Sequence, residues 1–410
     1  MKVILVNTLY YPDQVGGAEM SVQLLAEGLV QQGHDVSVVC LSRGLSPRFE
    51  RVKGVKVFRI KLFNLYWPFG KVKAGPVARL VWHILEIFNP VMVWRFSSIV
   101  KTVRPDIVHT NNVHGFSTGI WVYLSIKRLP IVHTIRDYAL MCSRGSLYRA
   151  EKRCESLCLD CKLLCRVKRK HTRHVSTVVG ISQYVLDRHI KQKFFTGRHT
   201  EIVVHNSVAD SVQLIDKIHC QQSKHEFVFG FIGRLVAEKG VMDLVSSFNR
   251  LRQQYADIAL VIAGVGNDEY ESILKEASGE SIEFLGHVDP QTFYKSVNAV
   301  VVPSLWDEPF GRTVAEALAA GCAVICSNRG GLPELANGRA NCQIFDPQIE
   351  GALLGALKRA KDACSNGNTT GNAPHDSSIK QELSPKTTAE KYTRLYKAAL
   401  SDRIRTGGAT

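Results

Sequence analysis

The chain has 410 residues, of which 45% are hydrophobic and 22% are charged. These proportions are those of a soluble globular protein long enough for two domains, rather than of a disordered chain. A formal net charge of +15 and a pI near 9.3 imply an acidic partner, such as a nucleotide, an anionic lipid surface or nucleic acid. Nucleic acid is not expected, because no base-reading motif accompanies the charge.

The start of the chain and its longest apolar region bear on the compartment. Met1 and Lys2 lead directly into the apolar run Val3–Asn7, so no secretory signal is expected. Charged and polar residues interrupt the region Val77–Val100, and we expect that it does not span a bilayer. Cysteines in apolar surroundings, such as Cys40, predict buried thiols in a reducing compartment. The expected location is the cytoplasm.

The first elements predict a βαβ unit. A strand over Val3–Asn7, a helix from about residue 18 to 32 and a strand over Asp35–Leu41 alternate as in a doubly wound sheet. Gly16 and Gly17 stand at the start of the helix, where unpaired N–H groups at the carboxyl edge of the first strand could contact a phosphate. A glycine pair is also common in plain turns, and both interpretations stay open.

The stretch Arg59–Arg104 mixes aromatic and basic side chains. Such a stretch can lie in a membrane interface, with apolar side chains down and bases toward anionic lipid. The alternative is a helix packed on the sheet plus a surface loop. The tryptophan and arginine content favours membrane contact. The residues concerned are Lys61, Phe63, Tyr66, Trp67, Phe69, Lys71, Lys73, Arg79, Trp82, Phe88, Trp94, Arg95 and Phe96.

Two polar clusters follow the short apolar strands at 107–108 and 131–132. A single histidine in such a place is usually a structural residue. Because the carboxyl ends of parallel strands meet at one edge of a sheet, the clusters together form a candidate site for a hydroxyl-bearing substrate. The candidates are His109, Asn111, Asn112, His114, His133, Arg136 and Asp137.

A cysteine-rich insert occupies about residues 142–170. Four thiols lie within twelve residues there, with Cys142 nearby, which is dense enough to ligate one tetrahedral ion. A structural zinc is the first interpretation, an iron–sulfur cluster the second and disulfides the third. The candidate ligands are Cys154, Cys158, Cys161 and Cys165.

The second half of the chain alternates strands and helices from Phe227 onward, which predicts a second parallel sheet covered on both faces. After its first strand, Gly233 opens a loop in which Arg234 and Lys239 lie around a helix start. Both cations could bind an anion together with the free N–H groups of the helix. Another glycine turn follows a strand at Gly264.

The most informative stretch is the strand–loop–helix unit from Val300 to Gly321. Ligands of open α/β sheets bind beyond the carboxyl ends of strands, so the loop with Glu308, Phe310 and Gly311 lies at a binding edge. Glu308 and Glu316 are eight residues apart. Two such hydrogen-bond acceptors suit a polyol.

Glu316 also has an interpretation that needs no ligand. Thr313 and Glu316 match a capping box at a helix start. That interpretation leaves Glu308 unexplained.

The spacing of Glu308 and Glu316 resembles the E-x7-E signature of the retaining, nucleotide-sugar-dependent glycosyltransferases of family 4. The loop Gly-Arg-Leu-x-x-x-Lys-Gly at 233–240 is similar to the diphosphate-binding loop of that family, and Gly16–Glu19 resembles its glycine-rich first loop. The resemblance covers nearly the whole chain. It implies the GT-B fold, an α/β architecture of two Rossmann-like, doubly wound parallel-sheet domains with a cleft between them.

The resemblance assigns roles to these residues. Arg234 and Lys239 would hold the departing diphosphate, Glu316 would accept from the ribose hydroxyls, and Glu308 would bond the donor sugar. No D-x-D pair occurs in the chain, so no cofactor is expected to be required for catalysis. The donor-binding set is Gly16, Gly17, Gly233, Arg234, Lys239, Gly264, Glu308, Phe310, Gly311, Arg312, Thr313 and Glu316. The residues expected to take part in catalysis are Arg234, Lys239, Glu308, His133 and Asp137.

One departure from the family pattern concerns the acceptor. Many members carry a His-Asp pair where this chain has Arg136 and Asp137, so His133 or Asp137 would position the acceptor hydroxyl. The acceptor-binding set is His109, Asn111, Asn112, His133 and Arg136.

The expected organisation is an acceptor-binding domain over residues 1–208, a linker at 209–226, a donor-binding domain over 227–385 and a last helix at 386–410 that crosses back to the first domain. The expected function is transfer of a sugar from a nucleotide-diphosphate sugar to a hydroxyl of a glycan or lipid-linked acceptor. It would take place at the cytoplasmic face of an anionic membrane. The alternative is a catalytically silent GT-B subunit that regulates a partner.

Overall fold

The computed structural model describes residues 1–13, 16–44, 48–68, 74–197, 199–213, 227–365 and 377–407. The chain divides into two compact units. The first unit comprises Met1–Ser146, Glu155–Ser207 and Pro385–Thr410, and the second comprises Leu147–Cys154 and Val208–Ser384. The segment 147–154 thus groups with the second unit, whereas the sequence predicts it in the first domain.

Strands and helices alternate along both units. The strands are β1 Lys2–Val6, β2 Asp35–Ser42, β3 Arg48–Val52, β4 Val55–Lys61, β5 Ile107–Thr110, β6 Ile131–Ile135, β7 Tyr148–Arg149, β8 Lys152–Arg153, β9 Thr177–Gly180, β10 Thr200–Val203, β11 Phe227–Ile232, β12 Ile258–Ala263, β13 Ile282–Gly286, β14 Ala299–Val302, β15 Ala323–Ser327 and β16 Cys342–Phe345. The helices are α1 Gly17–Gln31, α2 Pro76–Ile87, α3 Pro90–Val103, α4 Gly119–Ile126, α5 Leu159–His171, α6 Gln183–Lys191, α7 Asp210–Gln213, α8 Val241–Arg252, α9 Asp268–Glu276, α10 Pro290–Ser296, α11 Arg312–Ala319, α12 Leu332–Ala336, α13 Ala352–Ser365, α14 Ser377–Glu382 and α15 Pro385–Gly407.

The first unit is built on a sheet with the strand order β10-β9-β6-β5-β1-β2-β4-β3. Its strands are parallel except β3, which pairs antiparallel with β4 at the edge. The central strands are continuous apolar runs because both of their faces are covered. Val3, for example, is fully buried and pairs with Val36 on one side and Ile107 on the other.

The last helix, α15, belongs to this first unit. Gly28 of α1 allows the two helices to approach closely, since a Cβ atom there would lie 3.0 Å from the Cβ of Ala389. Tyr392 and Tyr396 of α15 are buried in the core over the sheet. Their burial explains why a C-terminal segment is part of the N-terminal fold.

The second unit is built on a parallel sheet with the strand order β13-β12-β11-β14-β15-β16. Phe229 and Val301 lie in its core between the sheet and the flanking helices. The β7–β8 hairpin is a separate antiparallel pair. In both units the strand order reverses beside the first strand, so the carboxyl ends of the central strands open onto a binding edge. The predicted α/β class with two doubly wound parallel sheets is confirmed.

Some predicted features lie outside the described residues. They are the linker from residue 214 onward, the loop between residues 366 and 376, and the side chains of Phe69, Lys71 and Lys73.

The apolar region around α2 and α3 differs from the expectation. Pro76–Val103, 28 residues in length, meets the length and composition of a membrane-crossing helix in the described part of the chain, although its charges led us to exclude a span. In the structure it forms two helices separated at Phe88 and Asn89. The amide of Asn89 caps α3 by accepting from the Met92 N–H at 3.1 Å.

Candidate active site

The loop after β11 is shaped by close contacts between glycines. Gly264 has φ +135°, and a Cβ atom there would lie 1.8 Å from the carbonyl oxygen of Gly233. Leu235 then forms an isolated bridge with Gly266. The two glycine turns after β11 and β12 are therefore packed on each other, which fixes the backbone that carries Arg234.

The two predicted cations differ in their surroundings. The guanidinium of Arg234 is exposed and forms no hydrogen bond or ion pair with any residue that the structure describes. Lys239 instead ends a short 3-10 turn just before α8. Its ammonium lies 2.5 Å from the Glu308 carboxylate and 5.4 Å from the centre of the Trp306 ring. The Arg234 guanidinium is therefore accessible to an external anion, whereas the Lys239 ammonium is held by its contact with Glu308.

Glu308 is the centre of a polar network at the carboxyl end of β14. It is 8% exposed, and its Oε1 accepts from Lys239 Nζ, from Ser304 Oγ at 2.7 Å and from Trp306 Nε1 at 3.0 Å. The Glu308 carbonyl also accepts from the Gly331 N–H at 2.8 Å. A carboxylate that accepts from this many donors is fixed in direction.

The start of α11 corrects one sequence interpretation. Gly311 is the N-cap, with φ +96°, and a Cβ atom there would lie 2.4 Å from Leu332 Cδ2. Because the helix begins at Arg312, Thr313 lies inside the first turn and cannot cap it. The capping-box interpretation of Glu316 is therefore wrong.

Glu316 is held by two side chains instead. Its Oε1 accepts from Arg312 Nε at 2.7 Å, and its Oε2 accepts from the Tyr294 hydroxyl at 2.9 Å. Burial, together with the neighbouring Glu316 charge, raises the pKa of Tyr294 well above its usual value. Tyr294 therefore remains a hydroxyl donor at any physiological pH. The sequence did not predict the contact of Tyr294 with Glu316, because nothing in the local sequence around Tyr294 indicates it.

Some predicted donor-site residues form side-chain hydrogen bonds or ion pairs, and others are buried or shape the loop backbone. Lys239, Glu308, Arg312 and Glu316 lie in polar networks at the carboxyl ends of β11 and β14. Phe310 is buried and Gly311 shapes the turn. This arrangement presents fixed cations and carboxylates at one edge of a sheet, which is the requirement for binding a ligand with phosphates and hydroxyls.

The predicted phosphate contact at the start of α1 meets an intramolecular partner at Gly16. Gly16 is the N-cap of α1, and its N–H donates to Glu19 Oε2 at 2.9 Å. A carboxylate from the chain itself therefore occupies that helix-start N–H, as in a capping box.

The first unit contains a small cavity at the carboxyl ends of β5 and β6. Its volume is about 20 Å³, enough for one water molecule or one hydroxyl group. Six predicted residues line it, namely Asn111, Asn112, His114, His133, Arg136 and Asp137. The cavity is therefore suited to a single hydroxyl rather than to a whole sugar ring.

Arg136 and Asp137 are both fixed. Arg136 Nε donates to Asn111 Oδ1 at 2.8 Å, and its Nη1 donates to Asn206 Oδ1 at 2.5 Å. Asp137 Oδ1 accepts from the Ala139 N–H at 2.8 Å, and burial raises the pKa of Asp137. Both side chains therefore keep their orientation toward the cavity without a ligand.

Three histidines are buried in the first unit, namely His109, His133 and His189. Burial lowers the pKa of each, so they are neutral. Burial lowers the pKa of His133 to about 3, with His189 as the next cause. His109 lies outside the cavity lining, in the core beneath α15, where it bonds the Tyr396 hydroxyl at 2.7 Å and Thr134 Oγ1 at 2.8 Å. The structure thus gives His109 a packing role in place of the predicted contact with an acceptor.

Two further ionisable residues line the same cavity. They are Glu86 from α2 and Lys168 from α5. A signal was present for Glu86, because it is a lone carboxylate four residues after the buried Trp82 on an apolar helix. Lys168 could be placed only by the fold.

The cysteines do not form the predicted set. Cys154 belongs to the second unit and the other three to the first. Cys161 hydrogen-bonds with Cys142 and Cys158, which raises its pKa, whereas Cys165 Sγ donates to the Met141 carbonyl at 2.9 Å. In the described part of the chain no three side chains are arranged to hold a metal ion.

Comparisons with known proteins agree with this geometry. The model of glycosyltransferase family 4 matches residues 15–209, and that of glycosyl transferases group 1 matches residues 215–362. An uncharacterized 42.6 kDa protein in the cps region of Klebsiella pneumoniae is 35% identical over 335 residues, which are 82% of this chain and 87% of that protein. The chain belongs to glycosyltransferase family 4.

Solved structures share the fold of this family 4 protein. Sucrose-phosphate synthase from Thermosynechococcus elongatus has a TM-score of 0.72 at 18% identity, covering 98% of this chain and 99% of that one. HepE from Anabaena in complex with UDP has a TM-score of 0.69 at 17% identity, covering 97% and 100%. The GT-B fold implied by the sequence resemblance is confirmed.

Proposed function

We propose that this family 4 protein is a retaining glycosyltransferase that moves a sugar from a nucleotide-diphosphate sugar to a hydroxyl of a lipid-linked or surface-polysaccharide acceptor. The observation that carries the proposal is the contact between Lys239 and Glu308 at the carboxyl edge of the second sheet. In the proposal, Lys239 binds a phosphate of the donor and the neighbouring Glu308 carboxylate binds its sugar hydroxyls. The bound UDP in the structure of HepE from Anabaena supports a nucleotide donor.

In the proposed reaction the acceptor oxygen bonds to the anomeric carbon of the donor sugar. The bond between that carbon and the diphosphate oxygen breaks, and the nucleoside diphosphate leaves with the electron pair. The acceptor proton passes to the leaving phosphate on the same face, so configuration is retained. Arg234 and Lys239 stabilise the negative charge that develops on the diphosphate.

The proposal needs no catalytic metal, because two side-chain cations supply positive charge at the diphosphate. Arg234 is exposed, and Lys239 already neutralises Glu308. We expect Lys239 to exchange part of this contact for a phosphate oxygen when the donor binds. Transfer in the presence of a chelator is the corresponding prediction.

The acceptor is proposed from two observations. The relative in the cps region of Klebsiella pneumoniae supports a surface polysaccharide or its lipid-linked precursor. The cavity of about 20 Å³ in the first unit is sized for one hydroxyl group of such an acceptor.

A bilayer with anionic lipids is the proposed partner of α2. The side chains of Val77, Leu80, Val81 and Ile84 are 75%, 52%, 37% and 52% exposed. They recur at helical spacing and so form one apolar face on a helix whose opposite side carries the buried Trp82. Trp94 of α3 is 67% exposed. An exposed apolar face on a protein of net charge +15 suits an anionic lipid surface, here the cytoplasmic one.

A donor screen tests the proposal. Thermal shift with UDP-, GDP-, ADP- and dTDP-sugars should stabilise the protein with one nucleotide class. Release of the nucleoside diphosphate and NMR of the product then give turnover and anomeric configuration. Arg234→Ala should abolish turnover without changing Tm, while Arg250→Ala, an exposed arginine at the end of α8, should be neutral. Absence of binding and turnover with every nucleotide sugar would contradict the proposal.

A further inference from the structure

Glu86 is a buried carboxylate that one lysine and two histidine side chains contact. It is 4% exposed. Lys168 Nζ lies 2.8 Å from Glu86 Oε2, His83 Nδ1 lies 3.3 Å from the same oxygen, and His114 Nδ1 contacts Oε1. These three partners come from α5, from α2 itself and from the loop after β5. We refer to Glu86, His114 and Lys168, which line the cavity, as the Glu86 cluster.

Glu86 is ionised in this cluster. Burial alone would raise the pKa of Glu86, but the charges and hydrogen bonds of His114, Lys168 and His83 hold it well below its usual value. Removing such charges from water costs several kcal/mol per ion, and buried ion pairs seldom stabilise a fold more than apolar side chains would. A cluster of this kind next to a cavity is therefore a candidate for a functional role.

The cluster forms part of the cavity wall. Glu86, His114 and Lys168 all line the cavity, whereas His83 does not. The His114 ring also packs on Trp82, with centroids 4.5 Å apart, and its backbone carbonyl accepts from Thr8 Oγ1 at 3.0 Å. Glu86 thus fixes both the rotation of the ring and the nitrogen that faces the carboxylate.

Since Glu86 holds Nδ1, any bond from the His114 ring to a group in the cavity is made through Nε2. The cavity admits one hydroxyl, and Asp137 lines it as well. A hydroxyl there would find an imidazole nitrogen and a carboxyl group within one small space. Such a pair can fix the direction of both the hydroxyl oxygen and its proton.

We propose that His114 binds the acceptor hydroxyl through Nε2, and that Glu86 is a positioning residue that holds His114 for this contact. The inference rests on the proposed function, because it assigns the attacking hydroxyl to this cavity. Lys168 balances the charge of Glu86. The cysteine-rich insert thereby contributes a residue to the cluster, because its helix α5 carries Lys168, which contacts Glu86.

Two substitutions of His114 separate positioning from packing. The amide of His114→Asn can replace Nδ1 toward Glu86 but has no atom at Nε2, whereas His114→Gln can reach the Nε2 position. Turnover is measured as nucleoside diphosphate release with the donor sugar that turns over fastest in the panel and with water as acceptor. His83→Asn is the matched control, since His83 contacts Glu86 without lining the cavity.

We expect His114→Asn to lower kcat about 100-fold, as loss of positioning does, with the donor KM and Tm unchanged. His114→Gln should recover part of kcat, and His83→Asn should keep it. Turnover of His114→Asn within twofold of wild type, or an equal loss in His83→Asn, would overturn the inference. Such a result would leave the proposed function intact, because that function fails only if no nucleotide sugar is turned over by the wild-type protein.

Discussion

Lys239 Nζ and Glu308 Oε1 lie 2.5 Å apart, although 69 residues separate them in the chain. The lysine comes from the turn before α8 and the glutamate from the loop after β14. The pair is only partly buried, with 20% of the lysine and 10% of the glutamate side chain exposed. A ligand that enters this edge therefore meets a cation and a carboxylate whose positions are already set.

Replacement of Lys239 by alanine should reduce kcat/KM for the nucleotide sugar by about 100-fold or more, because one fixed cation at the leaving group is lost. Tm should also fall, since Glu308 keeps only its neutral donors. Initial rates over a donor concentration series give the comparison. Lys361→Ala is the control, because it removes a similar ion pair, in which Lys361 Nζ lies 2.8 Å from Asp257 Oδ2. Wild-type turnover in the Lys239 variant would remove the phosphate role.

Replacement of Tyr294 by phenylalanine should raise the KM for the nucleotide sugar about tenfold with little change in kcat. The hydroxyl that orients Glu316 is lost, and hydrogen bonds to charged groups contribute about 1.5–3 kcal/mol. Nucleotide binding by calorimetry measures the effect directly. In Tyr255→Phe, a hydroxyl that donates to Asp362 at 2.6 Å is removed, and affinity should stay at the wild-type value. Equal affinities in both variants would show that Glu316 does not need Tyr294.

Acid should destabilise the first unit through its buried histidines. Burial lowers the pKa of His133 to about 3 and that of His189 to about 4, and it lowers that of His109 well below its usual value. In the unfolded chain each titrates near its ordinary pKa of about 6.5, so below that pH the unfolded state binds protons that the folded state does not. Stability is therefore complete above about pH 6.5 and is lost as the pH falls toward 4, by about 1.4 kcal/mol per pH unit for each histidine.

Urea unfolding at pH 7.5, 6.5 and 5.5 measures this loss. Asp137, whose pKa is raised by burial, acts in the opposite direction. It makes the loss of stability per pH unit smaller at the lower pH values. His189→Asn should make the dependence shallower than in wild type. A midpoint that does not change between pH 7.5 and 5.5 would contradict the prediction.

Zinc in the cysteine-rich insert stays a prediction. The predicted ligands are Cys154, Cys158, Cys161 and Cys165, although in the described part of the chain no three side chains are arranged to hold a metal ion. Metal analysis of anaerobically purified protein should give about one zinc per chain. Cys161→Ser should lose it, and Cys322→Ser, outside the insert, should retain it. Protein without zinc or iron would remove the hypothesis.

Membrane contact through α2 predicts binding to vesicles that contain anionic lipid, with affinity that falls as salt is raised. The double variant Leu80→Glu and Ile84→Glu should release the protein, because it places two charges on the apolar face. Ile349→Glu in the second unit is the control, since Ile349 is 63% exposed but lies on no such face. Co-sedimentation with the vesicles is the measurement. Equal binding of both variants would show that the face is not the contact.

Much of the fold could be predicted, because the sequence patterns that indicate strands and loop motifs are local. Strands buried on both faces appear as apolar runs, and Gly233–Gly240 and Glu308–Glu316 are short motifs at strand ends. The contacts of these residues were less predictable. Thr313 and Glu316 have the spacing of a capping box, but the observed helix start at Arg312 excludes it. Helix starts depend on backbone geometry that only the packed loop around Gly311 determines.

The sequence by itself determined the α/β class and the family, because periodicity and motif spacing act over a few residues. Only the tertiary structure decided that His109 lies under α15, that Tyr294 holds Glu316, and that Glu86 meets His114 and Lys168 at one cavity. These contacts join segments that are 22 to 287 residues apart. Their side chains come together through the order of the strands and the burial of helix faces, which no local pattern specifies.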